Sequence, residues 1–116
     1  MAASRRPIDP TDPPGPARAT GALGALARAR VLPVATVARA DEAGPLAAGL
    51  LAGGLPIVEV TLRTDAALDA IAELAREATG LVVGAGTVLT ADQVDAVAAA
   101  GAAFVVAPGF DARVVE

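Results

Sequence analysis

A carboxylate, a hydroxyl and a guanidinium fall at alternate positions of one short apolar run. They are Glu59, Thr61 and Arg63 within Leu55-Pro56-Ile57-Val58-Glu59-Val60-Thr61-Leu62-Arg63-Thr64. Side chains alternate along a strand, so Ile57, Glu59, Thr61 and Arg63 share one face and Val58, Val60 and Leu62 the other. A strand covered on both sides reads as a nearly continuous apolar run. This one keeps one apolar face and loads the other with groups that are costly to bury. Without a partner the cost is about 2–7 kcal/mol for a neutral polar group and more for a charge. Two readings stay open: a structural Glu59–Arg63 pair on either side of Thr61, or an active-site strand.

Two further segments end strands. Gly84-Ala85-Gly86-Thr87-Val88-Leu89 follows an apolar run and precedes a helix pattern. It has the first two glycines of a dinucleotide-binding G-x-G-x-x-G, but Leu89 stands where the third belongs. The helix pattern also begins too late, near Ala91, to offer its N-terminus to a pyrophosphate. The glycines then make either an ordinary tight turn or a rim at which Thr87 aims its hydroxyl at a ligand. Ala107-Pro108-Gly109 closes another apolar run. Arg63, Thr87 and Pro108 therefore all fall at C-terminal strand ends, the rim that carries the chemistry of β/α barrels.

The elements that must position these residues alternate regularly. Gly21–Arg30 reads as a helix with Thr20 as its cap, and Val31–Val37 as a strand. Asp41–Ala52 reads as a helix begun by Asp41, with Leu46 and Leu50 on one face. The Pro56–Leu62 strand follows. A helix over 65–78 carries an apolar stripe of Leu68, Ile71, Leu74 and Ala75. Leu81–Ala85 is a strand. Thr90-Ala91-Asp92-Gln93 has the form of a capping box and opens a helix through Ala100, with Val94 and Val97 inward. Ala103–Ala107 is a fourth strand, and another helix begins after Gly109. Such alternation with short links implies parallel strands joined by right-handed crossovers. Either a doubly wound sheet or part of an eight-stranded barrel fits. A full barrel takes about 250 residues, and this chain has 116.

Composition narrows the chemistry. Hydrophobic residues make up 54% of the chain and aromatics 2%, so Ala, Val and Leu must fill the core. The chain has no cysteine and no histidine, which removes thiolate chemistry, disulfides and the commonest metal ligand and general base. All nine basic residues are arginine. Without a lysine, these residues alone support no Schiff base. A net charge of −4 gives no support for nucleic-acid binding. Apolar runs are broken well before the length of a membrane span. Residues 1–20 hold five of the nine prolines and read as a disordered Pro-rich tail. MAASRRPIDP lacks an apolar signal core, so a cytoplasmic location is expected.

Taken in order, Glu59-Val60-Thr61-Leu62-Arg63-Thr64, Val83-Gly84-Ala85-Gly86-Thr87-Val88-Leu89 and Pro108-Gly109 resemble the bacterial 2-keto-3-deoxy-6-phosphogluconate (KDPG) / 4-hydroxy-2-oxoglutarate (KHG) aldolases. Val31-Leu32-Pro33-Val34 and Leu51-Ala52-Gly53-Gly54 fit as well, and the likeness covers about residues 21–116. The resemblance implies an α/β fold, the N-terminal half of a (β/α)8 TIM barrel with about four parallel strands. It implies class I aldolase chemistry, in which a lysine forms a Schiff base with a keto acid and a carboxylate moves the proton for carbon–carbon cleavage, releasing pyruvate. No metal or other cofactor is implied, and the full-length family is usually a homotrimer. By resemblance, Glu59 is the general acid/base, Arg63 and Thr87 hold the pyruvate carboxylate, and Pro108 lines the same pocket. Ala107 stands where relatives often have serine. The Schiff-base lysine and the phosphate-binding glycine loops are expected beyond these residues, so the isolated chain is expected to be inactive and prone to associate. A non-catalytic half-barrel, acting as an oligomerisation or anion-binding module, is the alternative.

Overall fold

The computed structural model describes residues 21–116. The tail and the Thr20 cap lie outside the described residues. Four strands form one sheet in the order β1-β2-β3-β4: β1 Val34–Ala35, β2 Ile57–Thr61, β3 Val82–Gly86 and β4 Phe104–Val105. Every pairing is parallel. A doubly wound sheet reverses its strand order partway across. Here the order never reverses, and α3 (Ala67–Glu77) packs between α2 (Ala43–Ala52) and α4 (Ala91–Ala100) on one side of the sheet. This is the wall of a (β/α) barrel.

The helix-facing layer is a close-packed apolar core. Val58 and Val60 from β2, and Val83 and Ala85 from β3, meet Ala43, Ala47, Ala67, Ala70, Ile71, Leu74 and Val97 from the helices. Ile71, Leu74, Val58, Val60, Val88 and Val97 are fully buried. Each such side chain contributes about 1.5–3 kcal/mol by leaving water. Of the two phenylalanines, Phe110 is exposed and Phe104 belongs to the opposite face. Alanines on α2 and α3 let the helices approach closely, so the helix-facing core dispenses with rings.

The structure departs from expectation mainly at element ends. Only two residues of the expected Val31–Val37 strand pair, and Pro33, with no N–H to give, contributes only its carbonyl, which accepts from Glu59 N at 2.9 Å. A 3₁₀ turn, Ala40–Glu42, replaces the first turn expected for α2. Asp41 does not cap it: its carboxylate takes the Arg39 guanidinium at 3.0 Å, and Glu42 accepts from Ala38 N. On α3 the buried stripe is Ala67, Ala70, Ile71 and Leu74, whereas Leu68 and Ala75 are exposed. The helix starts two residues later than expected, with Ala66 at its N-cap and no side-chain cap, and Thr64 ahead of it donates to the Val37 carbonyl. The Thr90 cap is as expected, accepting from Gln93 N at 3.2 Å. Gln93 Oε1 reaches one residue further back than a capping box requires, to Leu89 N at 2.7 Å. A short α1 (Gly21–Ala29) lies ahead of β1, and α5 (Ala112–Val115) follows β4.

Candidate active site

The inner face of the sheet contrasts with the helix-facing layer. β2 turns Ile57, Glu59 and Thr61 to it, and all five β2 residues are buried. In register with Glu59 stands Gly84 of β3, and in register with Gly84 stands Phe104 of β4. Towards the N-terminal end α1 covers this face. Leu26, Leu32, Ile57 and Phe104 line an apolar cleft of about 170 Å³ there. Towards the C-terminal end the face is polar.

Glu59 is the buried carboxylate at the boundary, 7% exposed. No ion pair holds it among the described residues, and no side-chain oxygen there is both fully buried and unpartnered, so its carboxylate keeps contact with solvent. Its carboxyl group lies across β3 over the bare α-carbon of Gly86. A β-carbon built on Gly86 would overlap Oε1 and Cδ of Glu59 and stand 2.7 Å from Cγ. One layer further along β2, Thr61 is 3% exposed and its hydroxyl meets that of Thr36 at 2.9 Å. Sequence reasoning missed Thr36. The signal available was its place two residues beyond Val34, on the same face at the end of β1.

The structural Glu59–Arg63 pair does not form. Arg63 lies not on β2 but in the turn after it, exposed. Among the described residues the ion pairs are Arg39–Asp41, Arg76–Glu77 and Arg113–Asp111, all at the surface. The turn carrying Arg63 is pinned on both sides, by Thr61 to Thr36 and by Thr64 to the Val37 carbonyl. Its guanidinium is thus left at the rim without an ionic partner among the described residues. Arg113 differs. It donates two hydrogen bonds to Asp111, at 2.8 and 3.1 Å, and this contact holds the Asp111 carboxyl below its ordinary value. The pocket these two line with Leu89 and Thr90 therefore offers no uncommitted cation.

Thr87 follows β3 with φ of 58°, left-handed backbone that a β-branched residue rarely adopts. Its neighbours impose that conformation. The Gly86 carbonyl accepts from Leu62 N at 2.9 Å on one side, and Val88 N donates to the Val106 carbonyl at 3.2 Å on the other. Val106 N donates to the Ala85 carbonyl at 2.8 Å, so the ladder to β4 skips Thr87. Such a bulge re-aims a side chain. Simple alternation would put Thr87 among the helices. Instead Val88 takes the core place, fully buried, and Thr87 is left half-buried at the rim. A residue in such a region costs about 1–3 kcal/mol and persists where its surroundings over-determine it.

Pro108 lies three residues past β4, exposed. Glu59 reaches the end of β3, so it and the Gly86–Thr87 corner are brought together. Arg63 and Pro108 share the same end of the sheet, because the strands are parallel, without contacting that corner through a hydrogen bond.

The comparisons with known proteins agree with this fold. A model of the family described as "KDPG and KHG aldolase" matches residues 24–116. The 2-dehydro-3-deoxy-phosphogluconate aldolase of Treponema pallidum is 52% identical over 90 residues, 78% of this chain and 43% of the relative. The KHG/KDPG aldolase of Escherichia coli K12 is 48% identical over 79 residues, 68% of this chain and 37% of the relative. Two solved structures superimpose with a TM-score of 0.74. One is the Zymomonas mobilis 2-keto-3-deoxy-6-phosphogluconate aldolase with 3-phosphoglycerate, at 45% identity over 78% of this chain and 43% of that one. The other is the Legionella pneumophila KDPG aldolase with pyruvate captured as a covalent carbinolamine, at 40% identity over 78% and 44%. The chain thus spans about two fifths of the length of these relatives. A family model matched over most of the chain, on a sheet whose order is that of a barrel wall, makes this chain a member of the KDPG and KHG aldolase family, whose enzymes are carbon–carbon lyases.

Proposed function

We propose that these residues supply the acid–base and carboxylate-binding side of a class I aldolase site that releases pyruvate from a 2-keto-3-deoxy-6-phospho sugar acid or from 4-hydroxy-2-oxoglutarate. The single observation that carries this reading is Glu59: a residue buried but for its carboxylate, which has no ionic partner among the described residues and lies over Gly86 at the C-terminal rim. A carboxylate there can shuttle the proton of carbon–carbon cleavage. Arg63, a planar fork without an ionic partner at the same rim, holds the pyruvate carboxylate with two parallel bonds. The Thr87 hydroxyl provides a second contact to it, and Pro108 walls the pocket.

The electron sink is an imine on a lysine amine. None of the 116 residues is lysine. On this reading the amine comes from residues other than these, and the chain alone turns over no substrate. The two outer strands leave one edge each without a partner among the described residues, with Val31, Val34, Val105 and Phe110 exposed near them. Surface of that kind associates, so we propose a homo-oligomer, acting in the cytoplasm. Among the described residues no helix is long and apolar enough to cross a membrane.

The test mixes the chain with a lysine-bearing remainder taken from a family relative and follows pyruvate release. Activity is expected only in the mixture. Glu59→Gln is expected to lower kcat by about 10²–10⁴-fold, the usual range for a lost general acid–base. Pyruvate release by the chain alone, or an active Glu59→Gln mixture, defeats the reading.

A further inference from the structure

We propose that Phe104 and the two glycines of β3 form a seat that sets the height of the Glu59 carboxylate in the barrel. This deepens the acid–base role above and rests on it. Glu59, Gly84 and Phe104 occupy one level of the sheet. β3 has no side chain on its inner face at that level or at the next, Gly86. Both bare positions are taken by neighbours. The Phe104 ring comes from β4 and lies over Gly84, where a β-carbon would overlap Cε2 and Cζ and stand 2.5 Å from Cδ2. The Glu59 carboxyl comes from β2 and lies over Gly86.

The arrangement has a direction. Glu59 is level with Gly84, so the nearest bare position would be Gly84 itself. The ring fills it. It also belongs to the apolar cleft with Leu26, Leu32 and Ile57, so a carboxylate moving down would meet only hydrocarbon. The carboxylate is left with the upper seat, beside Thr87. Phe104 is thus a positioning residue, acting through Glu59 without touching substrate. A shift of about 1 Å in a catalytic group can cost about 10²-fold in rate, which makes the height of this group consequential.

The experiment is a proton NOE measurement on the 116-residue chain with glutamate side chains labelled. Unsubstituted chain should show Glu59 Hγ near Gly86 Hα and not near Gly84 Hα. Phe104→Ser, which empties the lower seat and puts a hydroxyl and room for water there, should bring Glu59 Hγ to Gly84 Hα. Gly86→Ala should remove the contact at position 86 while the Phe104 ring stays on Gly84. An unchanged Glu59–Gly86 contact in Phe104→Ser overturns the proposal, as does a Glu59 side chain still seated at residue 86 in Gly86→Ala. In the reconstituted mixture both variants should lower kcat by about tenfold or more with KM nearly unchanged. If Glu59→Gln leaves kcat intact, the acid–base reading fails, and the NOE pattern still decides the seat.

Discussion

The two faces of β2 and β3 are made by the same ten residues and obey opposite rules. Towards the helices stand Val58, Val60, Val83 and Ala85, apolar and buried in a continuous core. Towards the barrel interior stand Glu59, Thr61, Gly84 and Gly86, a charge, a hydroxyl and two absent side chains. One face is a packed apolar layer and the other holds a carboxylate over a bare glycine. A residue that stabilises the fold and a residue that serves the site can therefore be adjacent in sequence and separated only by the pleat.

The largest effect should come from breaking the packed face. Leu74 is 1% exposed and meets the sheet from the middle of the helical layer. Leu74→Ala should cost about 2–5 kcal/mol, because the cavity adds to the lost transfer energy. Urea denaturation would show the midpoint fall. A cost below about 1 kcal/mol would mean that the helices relax into the gap, and that the two faces differ less than the burial suggests.

Much of this contrast is legible in sequence, and what is not has physical causes. Strict alternation over Ile57–Thr61 identifies both faces of β2, since a pleat leaves no other assignment. The α4 cap is legible because Thr90 and Gln93 act within one turn. Arg63 is misplaced by the same alternation, which runs on past the point where β2 ends in a turn. The α3 stripe is misread because alanines, not the larger Leu68, face a sheet approached this closely. Thr87 is the clearest limit. Its left-handed backbone comes from hydrogen bonds to β2 and β4 on either side, contacts distant in sequence that no local pattern encodes.

A smaller effect of opposite sign is expected on the interior face. Glu59 is buried without an ionic partner among the described residues. Glu59→Gln keeps the shape and removes the charge. It should raise stability by less than about 2 kcal/mol, the top of the range for a single stabilising substitution. Paired with the expected loss of kcat, this separates a site residue from a structural one. A fall in stability would show that the charge is bound by something that holds the fold.

The smallest effect should come at the bulge. A non-glycine residue in left-handed backbone costs about 1–2 kcal/mol relative to right-handed geometry. Glycine removes that strain but adds about 0.5–1 kcal/mol of unfolded-chain entropy. Thr87→Gly should therefore gain at most about 1.5 kcal/mol in stability while removing the hydroxyl from the rim. If Thr87 holds the keto-acid carboxylate as proposed, KM in the reconstituted enzyme should rise, since that contact would be made before and during reaction alike. If stability instead falls, the threonine side chain is packing against the rim and the bulge exists to hold it there. If stability rises and KM does not move, the strained corner serves the barrel end and not the substrate, and Arg63 alone must hold the carboxylate.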